Sequence, residues 1–282
     1  MKETLELRVD YDYAHLLFKP DEGKDLGTSV KIIELSPNDS RYNQIPIIAE
    51  QIKIKCDRSF FFGWNIKRKY DNKELDTAKL LHLKINNVFE PSGEECGTIY
   101  DESEACGVCG ANRKQINTLI LKKGSIPKKD ISLTIGGEIV VSRNFKNSVE
   151  RYGLKGFLFT PVKFRKEIIT DYYQLVSFSE LELSHSVVVG INPFDLSISS
   201  GSEIYKCPKG HTLGLNLLSE PSVYNNKSII DFDFFLSKQK IGVKRGLLRP
   251  KPLYFCSQNF RKMVLEERLK GFDFEVTNIE TI

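Results

Sequence analysis

Long apolar runs are missing from this chain. No stretch approaches the roughly 20 apolar residues of a membrane span, and the opening MKETLELRVDYDY puts acidic residues where a secretory signal needs an apolar run. The expectation is residence in the cytoplasm, with no membrane partner. Charge of one sign is lacking as well. The 41 basic and 37 acidic residues are mixed along the chain and leave a net charge of +4, too mild to imply nucleic acid or an anionic membrane. Catalytic signatures are absent too: no G-x-S-x-G, H-E-x-x-H or Walker A pattern occurs. His15, His82 and His185 lie in apolar or alternating runs with no acid or nucleophile at a recognisable spacing, so they read as core or surface histidines. Gly136-Gly137 is too short for a dinucleotide fingerprint and reads as a turn before a strand. The chain is expected not to be an enzyme.

What the chain does have is an internal repeat. Residues 142–159, SRNFKNSVERYGLKGFLF, return 115 positions later as residues 257–274, SQNFRKMVLEERLKGFDF, with nine of eighteen positions identical and no gap. Unrelated segments share about one, so the repeat implies two related building blocks. In the first copy Glu138-Ile139-Val140-Val141 reads as a strand, Ser142 as a helix cap, and Phe145, Val149 and Tyr152 as the buried stripe. Gly153 suits the left-handed C′ position, and Leu154, Phe157 and Phe159 run into a second strand. In the second copy Leu253-Tyr254-Phe255-Cys256 is the strand, Ser257 the cap, and Phe260, Met263 and Val264 the stripe. Arg268 replaces the glycine, so that helix end must be satisfied differently. Gly156 and Gly271 let the backbone turn or approach closely, and the phenylalanines enter the core.

With 282 residues, 40% hydrophobic and 28% charged, the chain can bury one large core or two modest ones. The pattern implies an α+β fold of two duplicated units, each with strands, a zinc-ribbon-like cysteine segment and a strand-helix-strand element, packed together. The expected divisions are a β-rich segment over 1–78, a first repeat unit over 79–165 and a second over 166–282, with no low-complexity linker between the units. Within the first segment, Leu5-Glu6-Leu7-Arg8-Val9 and Val30-Lys31-Ile32-Ile33 alternate as strands do. Residues 47–54, after Pro46, suit either a strand or a short helix, and Phe60-Phe61-Phe62-Gly63-Trp64 reads as a strand plugging the core, with an exposed interface as the alternative.

The cysteines carry the most specific chemistry. Residues 93–98, with Cys96, and residues 105–110, with Cys106 and Cys109, resemble the two knuckles of a zinc ribbon, whose C-x-x-C-G turns present thiolates to a metal. Gly93 stands where the first cysteine of a full pair belongs, so Cys96, Cys106 and Cys109 offer three ligands where structural zinc takes four. Cys207 or His211, from the C-x3-H of residues 205–211, completes the set. Cys106, Cys109, Cys207 and His211 form a second complete set that leaves Cys96 aside. Either would be a closed, structural site; a ribbon that has lost its metal is the alternative. Cys56 and Cys256, in apolar strand-like contexts, read as buried inert thiols. The basic run 244–252, with Lys244, Arg245, Arg249 and Lys251, reads as a solvated loop, with an acidic partner or a phosphate backbone as the alternative.

The order of a C-x-x-C-G segment, an S-x-x-F helix with L-x-G-F-x-F, a second cysteine segment and a second such helix resembles the bacterial double-CXXCG motif proteins, some of them immunity proteins of contact-delivered swarm-inhibition toxin systems. The resemblance covers roughly residues 80–282; residues 1–79 have no counterpart in it. The second cysteine segment departs from the pattern. It reads C-P-K-G-H, so Gly210 stands where a ligand belongs and His211 becomes the substitute. The resemblance implies a cytoplasmic, non-enzymatic protein that neutralises a cognate bacterial toxin by binding it. A zinc-ribbon adaptor or nucleic-acid-binding protein is the alternative.

Overall fold

A computed structural model describes residues 1–164, 170–195 and 203–281. The chain forms a mixed α+β structure that divides into two compact units: Met1–Asp71 with Asn192–Leu196, and Asn72–Ile191 with Ser197–Ile282. Among the described residues no helix is long and apolar enough to cross a membrane.

The first unit is a four-stranded antiparallel sheet in the order β2-β3-β1-β4, made from β1 (Lys2–Asp10), β2 (Lys24–Leu26), β3 (Val30–Leu35) and β4 (Phe61–Lys69). Strand alternation puts Leu5, Leu7 and Val9 on one face, where they meet Ile33, Leu35 and Phe60. Helix α1 (Ile45–Cys56) covers that face through Ile45 and Ile52. Pro46 in its first turn decides between the two readings of this segment, since the proline ring presets a helical φ. Phe194 stacks edge-on against Tyr42 at 5.2 Å and Phe61 at 6.3 Å. The other face is polar, with Lys67 bridging Glu6 and Glu34, while Arg68 pairs with Glu3 at the end of the apolar face.

Two expectations change here. Cys56 is not a buried strand thiol but the exposed last residue of α1, just before Asp57 turns the chain through a left-handed conformation. The aromatic run divides at a register shift, where Arg8 pairs with Gly63 and Val9 with Phe61 and Phe62 is left between them: Phe60 is fully buried, whereas Phe62 is 61% exposed.

The second unit holds both copies of the repeat. The elements of its two large sheets and the two repeat helices are, in chain order, β5 (Leu81–Ile85), β6 (Val88–Phe89), β7 (Ile131–Thr134), β8 (Ile139–Ser142), α2 (Arg143–Tyr152), β9 (Phe157–Pro161), β10 (Tyr172–Ser177), β11 (Glu180–Leu181), β12 (Phe234–Ile241), β13 (Lys251–Cys256), α3 (Gln258–Glu266) and β14 (Phe272–Val276). They make one sheet in the order β9-β10-β8-β7-β6 and another in the order β14-β5-β13-β12-β11, to which Thr212–Gly214 adds beside β12. Read from the strand that follows the helix, the two have the same directions: three antiparallel pairings, then a parallel one. In each sheet the second strand comes from the other half of the unit. β5 sits between β13 and β14, and β10 between β8 and β9.

The side chains repeat the correspondence. Ser142 and Ser257 cap their helices, each accepting from a backbone N–H three residues on at 3.1 Å. Asp130 accepts from the Ser142 hydroxyl at 2.8 Å and from the Lys270 N–H at 2.8 Å. Asp233 does the same for Ser257 at 2.6 Å and Lys155 at 2.9 Å. Each aspartate therefore ties one helix start to the L-K-G turn of the other half. The glycine of that turn lies flat on backbone: a Cβ at Gly156 (φ +111°) would stand 2.5 Å from the Phe234 carbonyl, and one at Gly271 (φ +110°) 2.5 Å from that of Ile131. Gly271→Ala is expected to cost at least about 2 kcal/mol in urea unfolding, because strain and overlap add. The helix ends differ as the sequence requires. α2 ends on Gly153 at φ 63°, whereas Arg268 adopts the left-handed conformation at φ 52° despite its side chain. Leu154 and Leu269 still donate back to Val149 and Val264.

Between the sheets lie Phe145, Phe157, Phe234, Phe260 and Phe272, with Met263, Leu81 and Ile131. Phe145 contacts Phe260 at 5.9 Å and Phe272 at 5.8 Å. Cys256 is fully buried, and desolvation pushes its thiol well up, as an inert core cysteine requires.

One buried acid sits on the edge of this core. His82 on β5 meets Glu275 on β14 at 3.3 Å, and Lys84 reaches the same carboxylate at 2.9 Å. Burial pushes Glu275 up, but the hydrogen bonds and charges of His82 and Lys84 outweigh it and hold the carboxyl at about 2, against an ordinary 4.5. A depressed carboxyl stabilises the fold above pH 4.5 and loses that contribution as the pH falls toward 2. Glu275→Gln is expected to cost roughly 2–3 kcal/mol at neutral pH. In denaturant titrations its gap to the parent protein should close over that acid window; a gap independent of pH would contradict the assignment.

Candidate metal centre

The two segments that present metal-binding side chains are tight turns built alike. In the first, residues 106–111, the Cys106 N–H donates to the Ala111 carbonyl at 2.8 Å and the Gly110 N–H returns to the Cys106 carbonyl at 2.7 Å. In the second, residues 207–212, the Cys207 N–H donates to the Thr212 carbonyl at 2.9 Å and the Gly210 N–H returns to the Cys207 carbonyl at 2.8 Å. Gly110 (φ 68°) and Gly210 (φ 76°) both take the left-handed conformation that closes the turn. The glycine at 210 is thus kept for the backbone, and the ligand moves one residue on to His211.

The turns face one another. The Cys106 and Cys207 sulfurs lie 3.7 Å apart, and His211 Nδ1 is 3.7 Å from both Cys109 Sγ and Cys207 Sγ. All four ligand atoms fall within 4.8 Å of one another, the cysteines buried and the histidine partly so. This is the second of the two sets offered by the sequence. The sulfurs are free thiols, well beyond disulfide bonding distance.

Cys96 is not in the cluster. Residues 93–98 are not a knuckle: Gly93–Cys96 is a helical turn with a capping box, in which the Glu95 carboxylate accepts from the Ser92 N–H at 2.7 Å. Cys96, buried at its end, faces other surroundings.

The four groups fit an ion. For a tetrahedral centre with metal–sulfur bonds of about 2.3 Å and metal–nitrogen bonds of about 2.0 Å, simple geometry gives edges of about 3.8 Å between sulfurs and about 3.5 Å from sulfur to nitrogen. The short separations here match both. The thiol of Cys106 is already drawn toward the thiolate form: the backbone N–H groups of Cys109 and Val108, with His211, bring it to about 6. Burial pushes Cys109 the other way, a cost that a cation removes. Four protein ligands leave no position for a water or substrate, so the chemistry available is structural.

The basic run folds back over the first turn. Arg249 approaches Glu102 at 3.5 Å and Glu94 at 3.8 Å, and Lys244 reaches Glu102 at 3.9 Å. Its Lys244 and Arg249 side chains are therefore not simply solvated. The partners, Glu94 and Glu102, had no signal in the sequence that joined them to residues some 150 positions away.

No protein-family model matches this chain, and a search of curated proteins returned no match.

Proposed function

We propose that the Cys106, Cys109, Cys207 and His211 cluster holds a structural zinc ion that clamps the two halves of the second unit, and that the halves descend from one duplicated element. The donor set supports zinc: three thiolates and an imidazole disfavour the hard cations magnesium and calcium, and a closed four-ligand shell is the usual structural zinc arrangement.

For the protein as a whole, the proposal is non-enzymatic neutralisation of a cognate bacterial toxin in the cytoplasm by tight stoichiometric binding. The observation that supports it is the cluster of four ligand groups, which on binding an ion would stiffen the fold and leave no open position for substrate. It joins the resemblance of residues 80–282 to double-CXXCG immunity proteins. Phe62 and the exposed part of the basic loop, Arg245, are the candidate contacts from the segments named by the sequence. The zinc-ribbon adaptor or nucleic-acid reading draws less support, because Arg249 and Lys244 are engaged by Glu94 and Glu102.

The test is co-expression with the toxin encoded beside the gene, followed by co-purification. Rescue of growth with a one-to-one complex is expected. Rescue without a physical complex, or no rescue, would defeat the binding mechanism.

A further inference from the structure

Beside the metal centre the second unit contains a cavity of about 290 Å³. Four cationic side chains line it, Arg113, Lys240, Arg249 and Lys251, against one buried carboxylate, Glu138. That carboxylate is already committed, since it accepts from the Tyr100 and Thr134 hydroxyls. The arginines are partly balanced from outside: Arg113 pairs with Glu94 at 2.9 Å, and Arg249 reaches Glu102 at 3.5 Å.

The lysines are balanced only at a distance, Lys251 by Glu138 and Lys240 by the Cys109 thiol and Glu180. Among the described residues, neither Lys240 nor Lys251 makes a side-chain hydrogen bond or ion pair, though both are partly buried. Arg249 adds a buried Nε that has no hydrogen-bond partner. Placing ammonium groups and a guanidinium N–H out of water without acceptors is costly, and structures rarely leave such groups without a reason. Gly137, at φ +99°, lines the cavity beside the Lys251 stem, and its positive φ accounts for the glycine. Leu236, Pro252 and Tyr254 give the cavity an apolar side.

We propose that this cavity binds the phosphate group of a small organic molecule. Donors from two lysines and an arginine on different segments suit a tetrahedral oxyanion, whose several acceptors can meet them together. The apolar side receives the organic part. The volume lies near the lower end of small-molecule sites, which limits the ligand to a compact one. The site is distinct from the metal, whose shell is filled by protein.

The experiment uses the full-length, metal-loaded chain and inorganic phosphate as probe. Melting temperature is followed against phosphate concentration, with chloride at matched ionic strength as the reference, and ³¹P line broadening of the same ion is measured in parallel. A saturable rise above the chloride curve, with broadening, is expected. Lys240→Met and Lys251→Met should each weaken phosphate binding at least tenfold, whereas Lys238→Ala, exposed on the same strand, should leave it unchanged. Absence of both the rise and the broadening in the parent protein would overturn the proposal, even if a lysine variant failed to fold. Binding that persists undiminished in folded lysine variants would overturn it equally. Metal content measured alongside separates this result from the zinc proposal, because the lysines are not ligands.

Discussion

Cys109→Ser is expected to release the metal and lower the stability of the second unit by at least about 4 kcal/mol, a shift of about 10 °C or more in melting temperature for a unit of this size. The size follows from where the ligands stand. Cys106 and Cys109 lie on one turn and Cys207 and His211 on another, with Cys207 101 positions after Cys106. An ion joining them closes a long loop, and its binding free energy becomes folding free energy. Loss of one ligand leaves three groups arranged for a cation and a small buried pocket of polar atoms beside Ala111. Cys207→Ser and His211→Ala should behave alike. Cys96→Ser should retain the ion, because Cys96 belongs to the capped turn Gly93–Cys96 outside the cluster. Metal content and calorimetric melting of the four variants check this directly. Metal retained by Cys109→Ser, or lost from Cys96→Ser, would assign the wrong ligands.

The second large effect is expected from Phe260→Ala, at about 3–5 kcal/mol. Phe260 is fully buried and touches Phe145 at 5.9 Å, Phe234 at 5.9 Å and Phe272 at 6.0 Å. The neighbours belong to both halves of the unit, so the void opens where the two sheets and helices converge and cannot collapse without moving them. Phe145→Ala should cost a similar amount. The double variant should fall short of the sum by about 0.5–1.5 kcal/mol, because the two rings share one contact. Phe62→Ala is the control: the ring is 61% exposed, and its removal should change stability by no more than about 0.5 kcal/mol. Urea unfolding of the five proteins, with the parent included, measures all of these. A small loss for Phe260→Ala would mean that the two halves do not share a core.

Much of the local structure was legible in the sequence because short-range chemistry decides it. Ser142 and Ser257 cap helices since their hydroxyls reach a backbone N–H three residues on. Gly153 ends a helix since it tolerates positive φ, and the phenylalanines at helical spacing face the core. Other features depend on pairings that no local pattern encodes. The placement of β5 between β13 and β14 joins Leu81 to Val276, and the mirror exchange places β10 in the first sheet. His82 seemed to lack an acid because Glu275 lies 193 residues away. For the same reason Lys240 and Lys251 gave no sign of lining one cavity with Arg113.

The candidate metal ligands fall between these cases. The residue types and one complete C-x-x-C turn were visible, and both ligand sets could be written down. Choosing between them needed the three-dimensional arrangement. A capping box formed by Ser92 and Glu95 turns Gly93–Cys96 into helix, whereas the left-handed Gly210 passes the ligand role to His211. Cys56 was misread for a related reason: Pro46 started a helix whose last residue is exposed.

Native mass spectrometry of the full-length protein, purified without chelator, tests the central claim most directly. The account predicts a single dominant species carrying one zinc ion, heavier than the bare chain by one zinc less the two protons its charge replaces, with the ion retained in Cys96→Ser but absent from Cys109→Ser. A metal-free chain that keeps all its thiol protons and melts at the same temperature as the zinc-supplemented protein would contradict it.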